Sequence, residues 1–130
     1  MAYAALSDLR DHVANYLERT GDVEFLSLFP IFVLSVEDQI NKALFGLGDD
    51  GVSLADSIPA LSTDADTNWV LTGFGSIYFF GTVMEAAIAG LANEMQGQLA
   101  GSKFSDHLND LTTKRRAAKL TAATPGGQTP

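Results

Sequence analysis

A chain of 130 residues with 46% apolar and 18% charged side chains can bury one hydrophobic core and has no room for a second. Eight Lys and Arg against sixteen Asp and Glu leave a net charge of −8, which argues against a dedicated nucleic-acid binder, whose affinity rests on neutralising phosphates. The absence of cysteine removes disulfides, thiolate zinc sites, iron–sulfur clusters and cysteine nucleophiles.

The opening Met1-Ala2-Tyr3-Ala4-Ala5-Leu6-Ser7-Asp8 has neither a basic start nor a long apolar run, so it does not read as a signal peptide. Leu6, Leu9, Val13, Tyr16 and Leu17 then recur at helical spacing, which predicts helix 1 from about Ala5 to Arg19, with Gly21 as its stop. Helix 2 is expected to open near Pro30, whose fixed φ suits a first turn, and to end at Gly46 and Gly48. Its stripe is Val33, Val36, Ile40 and Leu44 beside Phe32, with Glu37, Asp38, Asn41 and Lys42 facing water.

Residues 46–68 carry Gly46, Gly48, Asp49, Asp50, Gly51, Pro59 and a run of Ser, Thr and Asp, which is loop chemistry. A short turn at Asn68 to Leu71 precedes helix 3, expected from about Ser76 to Asn93 and at the centre of the core, with Ile77, Phe80, Met84, Ala87, Ile88 and Leu91 along it. Val70 to Ala92 is long enough to suggest a membrane span, but Thr72, Gly73, Gly75, Ser76, Gly81 and Glu85 favour a buried helix. Gly97 and Gly101 predict a bend or break before helix 4, whose stripe Phe104, Leu108, Leu111 leads to about Lys119. The expected fold class is all-α: a four-helix bundle, residues 1–119, with a long irregular loop between helices 2 and 3 and an extended C-terminal arm at 120–130.

Charge is partitioned along the chain. Residues 114–130 hold four of the eight cations and no acid, so residues 1–113 hold the other four with all sixteen acids, a net −12 against +4. A helix dipole favours cations at its C-terminus and accounts for part of the Lys114, Arg115, Arg116, Lys119 cluster. A docking arm for an acidic partner accounts for the whole of it.

No catalytic constellation emerges, and no cofactor or metal is implied. Asp64-Ala65-Asp66-Thr67-Asn68 starts like a calcium loop but has Trp69 where glycine is required and Gly75 where the bidentate Glu belongs. The alternative is a capped turn in which Asp66 or Thr67 accepts from the amides opening the Trp69 helix. The pairs Asp8/His12 and His107/Asp110 read as surface pairs, each on one helix face. Gly73-Phe74-Gly75-Ser76 is not a nucleophile elbow, and Gly46-Leu47-Gly48 lacks a phosphate-binding lysine. Glu85, the one charge on an apolar helix, reads as a carboxylate tied to an arginine or to a subunit boundary rather than as a general base.

The block Ile58-Pro59-Ala60-Leu61-Ser62-Thr63-Asp64-Ala65-Asp66-Thr67-Asn68-Trp69-Val70-Leu71, followed by Ser76-Ile77-Tyr78-Phe79-Phe80-Gly81-Thr82-Val83-Met84-Glu85-Ala86-Ala87, resembles the tailed-phage head-to-tail adaptor (connector, head-completion) proteins. That family places a Pro-x-Leu-Ser turn and an Asn-Trp turn before a helix ending in Gly-Ala-Leu-Leu-Glu-Ala-Ala. The segment Phe29-Pro30-Ile31-Phe32-Val33-Leu34-Ser35-Val36-Glu37-Asp38-Gln39-Ile40 is similar to its second helix. The family's β-rich insertion between helices 2 and 3 is replaced here by about residues 46–57. The resemblance implies a structural virion protein at the head–tail interface, made in the host cytoplasm. It would form a homo-oligomeric ring of twelve copies beneath the portal protein. That ring would extend the DNA channel without reading sequence and would carry the tail (nozzle or tail-tube) proteins. It further implies portal contacts from Lys114, Arg115, Arg116, Lys119, Leu120, Pro125 and Pro130, and subunit contacts from Tyr78 and Glu85. The competing expectation is a small acidic helical partner-binding protein of the inhibitor or antitoxin type. A nucleic-acid binder acting through Lys114–Lys119 is a third.

Overall fold

The computed structural model describes residues 1–46 and 57–123. Among them the chain forms α1 (Leu6–Tyr16), α2 (Val23–Phe45), a single-turn α3 (Trp69–Gly73), α4 (Gly75–Ile88) and α5 (Glu94–Ala123), with no strand. The four long helices make the expected bundle. No helix among the described residues is long and apolar enough to cross a membrane.

Helix α1 opens where the Asp8 carboxylate accepts from the Ala5 amide at 3.2 Å, and it buries Leu6, Leu9 and Val13. It ends before the expected Arg19, and the stop is Glu18 rather than Gly21. Glu18 takes the left-handed conformation at φ 57°, so that Arg19 N–H reaches Ala14 O at 2.7 Å and Glu18 N–H reaches Asn15 O at 3.1 Å. Gly21 also has a positive φ, further along the turn.

Helix α2 begins at Val23, not at Pro30. Asp22 caps it by accepting from Glu24 N at 2.9 Å, and Pro30 sits inside the helix. An interior proline costs about 3 kcal/mol. Against that, Phe25 and Phe29 precede Pro30 and are buried, which requires their segment to be helical, and each burial contributes about 1.5–3 kcal/mol. Aromatic burial wins.

Helix α4 is the centre of the core and packs against α1, α2, α3 and α5. It buries Ile77, Tyr78, Phe79, Gly81, Thr82, Val83 and Ala86 and is therefore enclosed on most sides rather than along one stripe. Its end at Ile88 falls before the expected Asn93. Gly90 at φ 84° lets Leu91 N–H reach Ala86 O at 2.8 Å, the same closure that ends α1. Asn93 instead starts α5: its Oδ1 accepts from Gln96 N at 2.7 Å and its own amide donates to Gln96 Oε1 at 3.1 Å, a reciprocal cap.

No break occurs at Gly97 or Gly101, and α5 runs unbroken past both. The two glycines face α4, where a Cβ on Gly97 would lie 2.6 Å from Ala87 Cβ. Leu120 to Ala123 continue the α5 backbone, so that part of the expected extended arm is helical. Residues 124–130, with Pro125 and Pro130, lie outside the described residues, as do residues 47–56 in place of the family's insertion.

Candidate functional site

One well-organised polar group among the described residues lies where sequence periodicity placed side chains in water. Glu37 is 4% exposed and Asn41 is buried too, because α2 meets the irregular strap of residues 57–68 on that face. The strap has no backbone ladder, so its amides need side-chain acceptors. Glu37 Oε2 accepts from Leu61 N at 3.0 Å and from the Tyr78 hydroxyl at 2.8 Å. Asn41 Oδ1 accepts from Ile58 N at 2.8 Å. Asn68 donates through Nδ2 to Pro59 O and to Tyr78 Oη, both at 2.8 Å, while its Oδ1 caps α3 by accepting from Leu71 N at 2.8 Å. The one sequence feature that bears on this clasp is the proline-containing segment, too short to form a ladder of its own; nothing in α2's own pattern marks Glu37 and Asn41 as its partners.

Burial pushes the Glu37 carboxyl above its ordinary range, opposed by the bonds from Tyr78 and Leu61. The Tyr78 phenol is also raised, by burial and then by the Glu37 charge. Both donors to Glu37 are the chain's own strap and core, so this carboxylate fastens structure and has no vacant partner to act on. Asp66 does not cap α3 as expected. It gathers the amides of Ser62 and Thr63 at 2.8 and 2.9 Å and both their hydroxyls, and these bonds hold its carboxyl well below the usual range. Arg10 ties the strap to α1 through Asp64 at 2.8 Å.

The residues expected to carry contacts are placed as follows. Tyr78, expected at a subunit contact, is fully buried within the chain. Glu85 is half-buried on α4 and accepts from Gln39 Nε2 at 3.3 Å, and it makes no ion pair with an arginine among the described residues. Lys114 pairs with Asp110 one turn back at 3.0 Å. Arg115 is engaged inside the molecule: its guanidinium lies 4.9 Å from the Phe45 ring centre and 5.5 Å from that of Trp69. Arg116, Lys119 and Leu120 follow on the α5 backbone. The histidines do not pair with their helical neighbours. His12 Nδ1 shares a 2.6 Å hydrogen bond with the Tyr3 hydroxyl and its ring stacks on Phe79, while His107 lies against Phe80.

Among the described residues, exposed large apolar side chains gather into two groups, apart from Met1, Tyr16 and Trp69. Val23, Leu26, Ile31 and Leu34 line the outer face of α2, and Ile88, Met95 and Leu99 lie near the α4–α5 turn. Isolated exposed leucines are ordinary, but clusters of this kind mark contact surfaces. No protein-family model, curated protein or solved structure matches the chain.

Proposed function

We propose that the chain is a structural head-to-tail adaptor of a tailed phage, a ring-forming protein beneath the portal that extends the DNA channel and carries out no bond-making step. The observation that carries this reading is the block of residues 58–87 that resembles the adaptor family. Its distinctive positions are the ones with specific physical tasks in the fold. Pro59 and Leu61 are fastened by Asn68 and Glu37, Asn68 caps the Trp69 turn, and Tyr78 joins both. Gly81 lets α4 approach Val36 and Phe104, where a Cβ would meet side-chain atoms at 2.8 and 3.0 Å.

Charge supports the same role. The acidic body, multiplied around a ring, makes a channel wall that repels packaged DNA and favours its passage. The cations beyond Arg115 supply a docking arm for the portal, Arg115 itself being occupied by Phe45 and Trp69. Mass photometry of the chain mixed with purified portal tests the reading. Ring-sized assembly on the portal is the expected result. A lone 1:1 complex with some other factor would replace it with the inhibitor-type reading, and salt-sensitive DNA affinity would replace it with nucleic-acid binding.

A further inference from the structure

The first three turns of α2 present an apolar stripe to the outside. Val23 is 78% exposed, Ile31 58% and Leu34 60%, with Leu26 and Pro30 beside them. Helical spacing aligns Val23, Pro30 and Leu34 on one line, with Ile31 and Leu26 to either side. Leu26 and Pro30 also form one wall of a groove of about 500 Å³ between α1, α2 and the strap, whose floor includes Leu6 and Phe29. Stripe and groove are thus one continuous surface.

Its border has a sign. Asp11 and Asp64 stand on the groove's edge with Arg10 bonded to both, Glu24 lies at the start of the stripe, and Asp38 at its end is paired with Lys42. Four carboxylates therefore surround the apolar surface with two cations, both already engaged by those carboxylates, and Glu24 makes no ion pair among the described residues. An apolar stripe with an acidic edge complements a helix whose own apolar face is flanked by Lys and Arg.

We infer that the outer face of α2, with the adjoining groove, is the docking site for a cationic amphipathic helix of a partner protein. The assignment is independent of ring formation and of the portal. The probe is a synthetic Leu/Lys amphipathic helix of about 15 residues, long enough to be helical on a surface, with a Leu/Glu peptide of the same pattern as control. Binding is read by fluorescence anisotropy at physiological salt. The expected result is that the Leu/Lys peptide binds and the Leu/Glu peptide does not. The double variant Leu26→Asp, Leu34→Asp weakens binding at least about tenfold, as loss of a central anchor does, although it adds negative charge. Met95→Asp, Leu99→Asp, on the other apolar cluster, leaves binding unchanged.

Undiminished binding to the Leu26/Leu34 variant would show that bulk charge alone attracts the peptide and would overturn the assignment. So would equal loss in the Met95/Leu99 variant, or equal affinity for the Leu/Glu peptide. A photoreactive leucine in the probe gives a readout on the unaltered protein: labelling must fall within residues 23–34 or the groove wall, and labelling elsewhere refutes the site. If sedimentation shows that the stripe mediates self-association without peptide, the occupant is a second copy and the inference fails.

Discussion

Glu18 holds a left-handed backbone at φ 57° with an L side chain, a conformation that costs about 1–2 kcal/mol outside glycine. Gly90 performs the same task at the end of α4 without that cost. Glu18→Gly should therefore stabilise the protein by about 1 kcal/mol. Gly90→Ala should destabilise it by a similar amount, through φ alone, since a Cβ there meets nothing within 4 Å. Urea denaturation of the two variants checks both signs. Glu37 gives the pH dependence. Burial raises its carboxyl above the ordinary value of 4.5, so the unfolded chain releases this proton at lower pH than the folded chain does. Its contribution to stability accordingly falls as pH rises from 4.5 through the raised value. Asp66, held low by its four donors, works in the opposite direction and loses its contribution as pH falls. Glu37→Gln keeps an acceptor for Leu61 N and the Tyr78 hydroxyl and removes the charge. It should match the parent at weakly acidic pH, remove the decline towards neutral pH, and so be the more stable of the two at neutral pH. Glu37→Ala leaves both donors unmet and should cost about 1–3 kcal/mol. Melts of the three proteins across that range separate these outcomes.

Between elements, glycines decide how closely helices approach, and α5 separates the two physical effects of glycine. Gly97 stands where a Cβ would sit 2.6 Å from Ala87 Cβ, so Gly97→Ala must push α4 and α5 apart, at about 1–3 kcal/mol. At Gly101 the nearest atom to an added Cβ is Met84 Sδ at 3.6 Å, ordinary contact, so Gly101→Ala keeps the packing and gains helix propensity, about 1 kcal/mol of stabilisation. Thermal melts of the two single variants should move in opposite directions. A rule reading both glycines as helix weakeners predicts a break, and packing against α4 overrides it. The same competition explains what periodicity could and could not reveal. The Leu6, Leu9, Val13 and Phe104, Leu108, Leu111 stripes gave α1 and α5 directly, because each of those helices buries one face. Helix α4 buries most of its circumference, so a one-face stripe assigned Ile88 to its apolar side when Ile88 is 76% exposed. Asn93 and Gln96 form a reciprocal cap visible as Asn-x-x-Gln, and that spacing marks the start of α5 rather than the end of α4. Burial of Glu37 and Asn41 was not legible, since it follows from where the strap lies and not from α2's own pattern.

For the whole molecule, the uneven charge and the place of Arg115 set how many C-terminal residues can be removed without loosening the helices. Arg115 bridges the end of α2 and the start of α3 by lying over Phe45 and Trp69, contacts worth about 0.5–1 kcal/mol each when partly exposed. A boundary drawn before Lys114 would remove that latch from the body, whereas one drawn after Arg115 keeps it. Truncation after Arg115 should therefore leave a chain that melts close to the full-length protein, while truncation after Thr113 should lower its stability by about 1–2 kcal/mol. Both lose Arg116, Lys119 and everything beyond, so in the adaptor reading neither should attach to portal-containing particles. The difference between the two is what makes the test informative: failure of the chain ending at Arg115 to attach, with its melt unchanged, locates the attachment in residues 116–130 and not in a damaged fold. Attachment that survives that truncation would place the portal contact on the acidic helical body instead. It would also remove the reason for a positive end on a chain whose first 113 residues hold all sixteen of its acids.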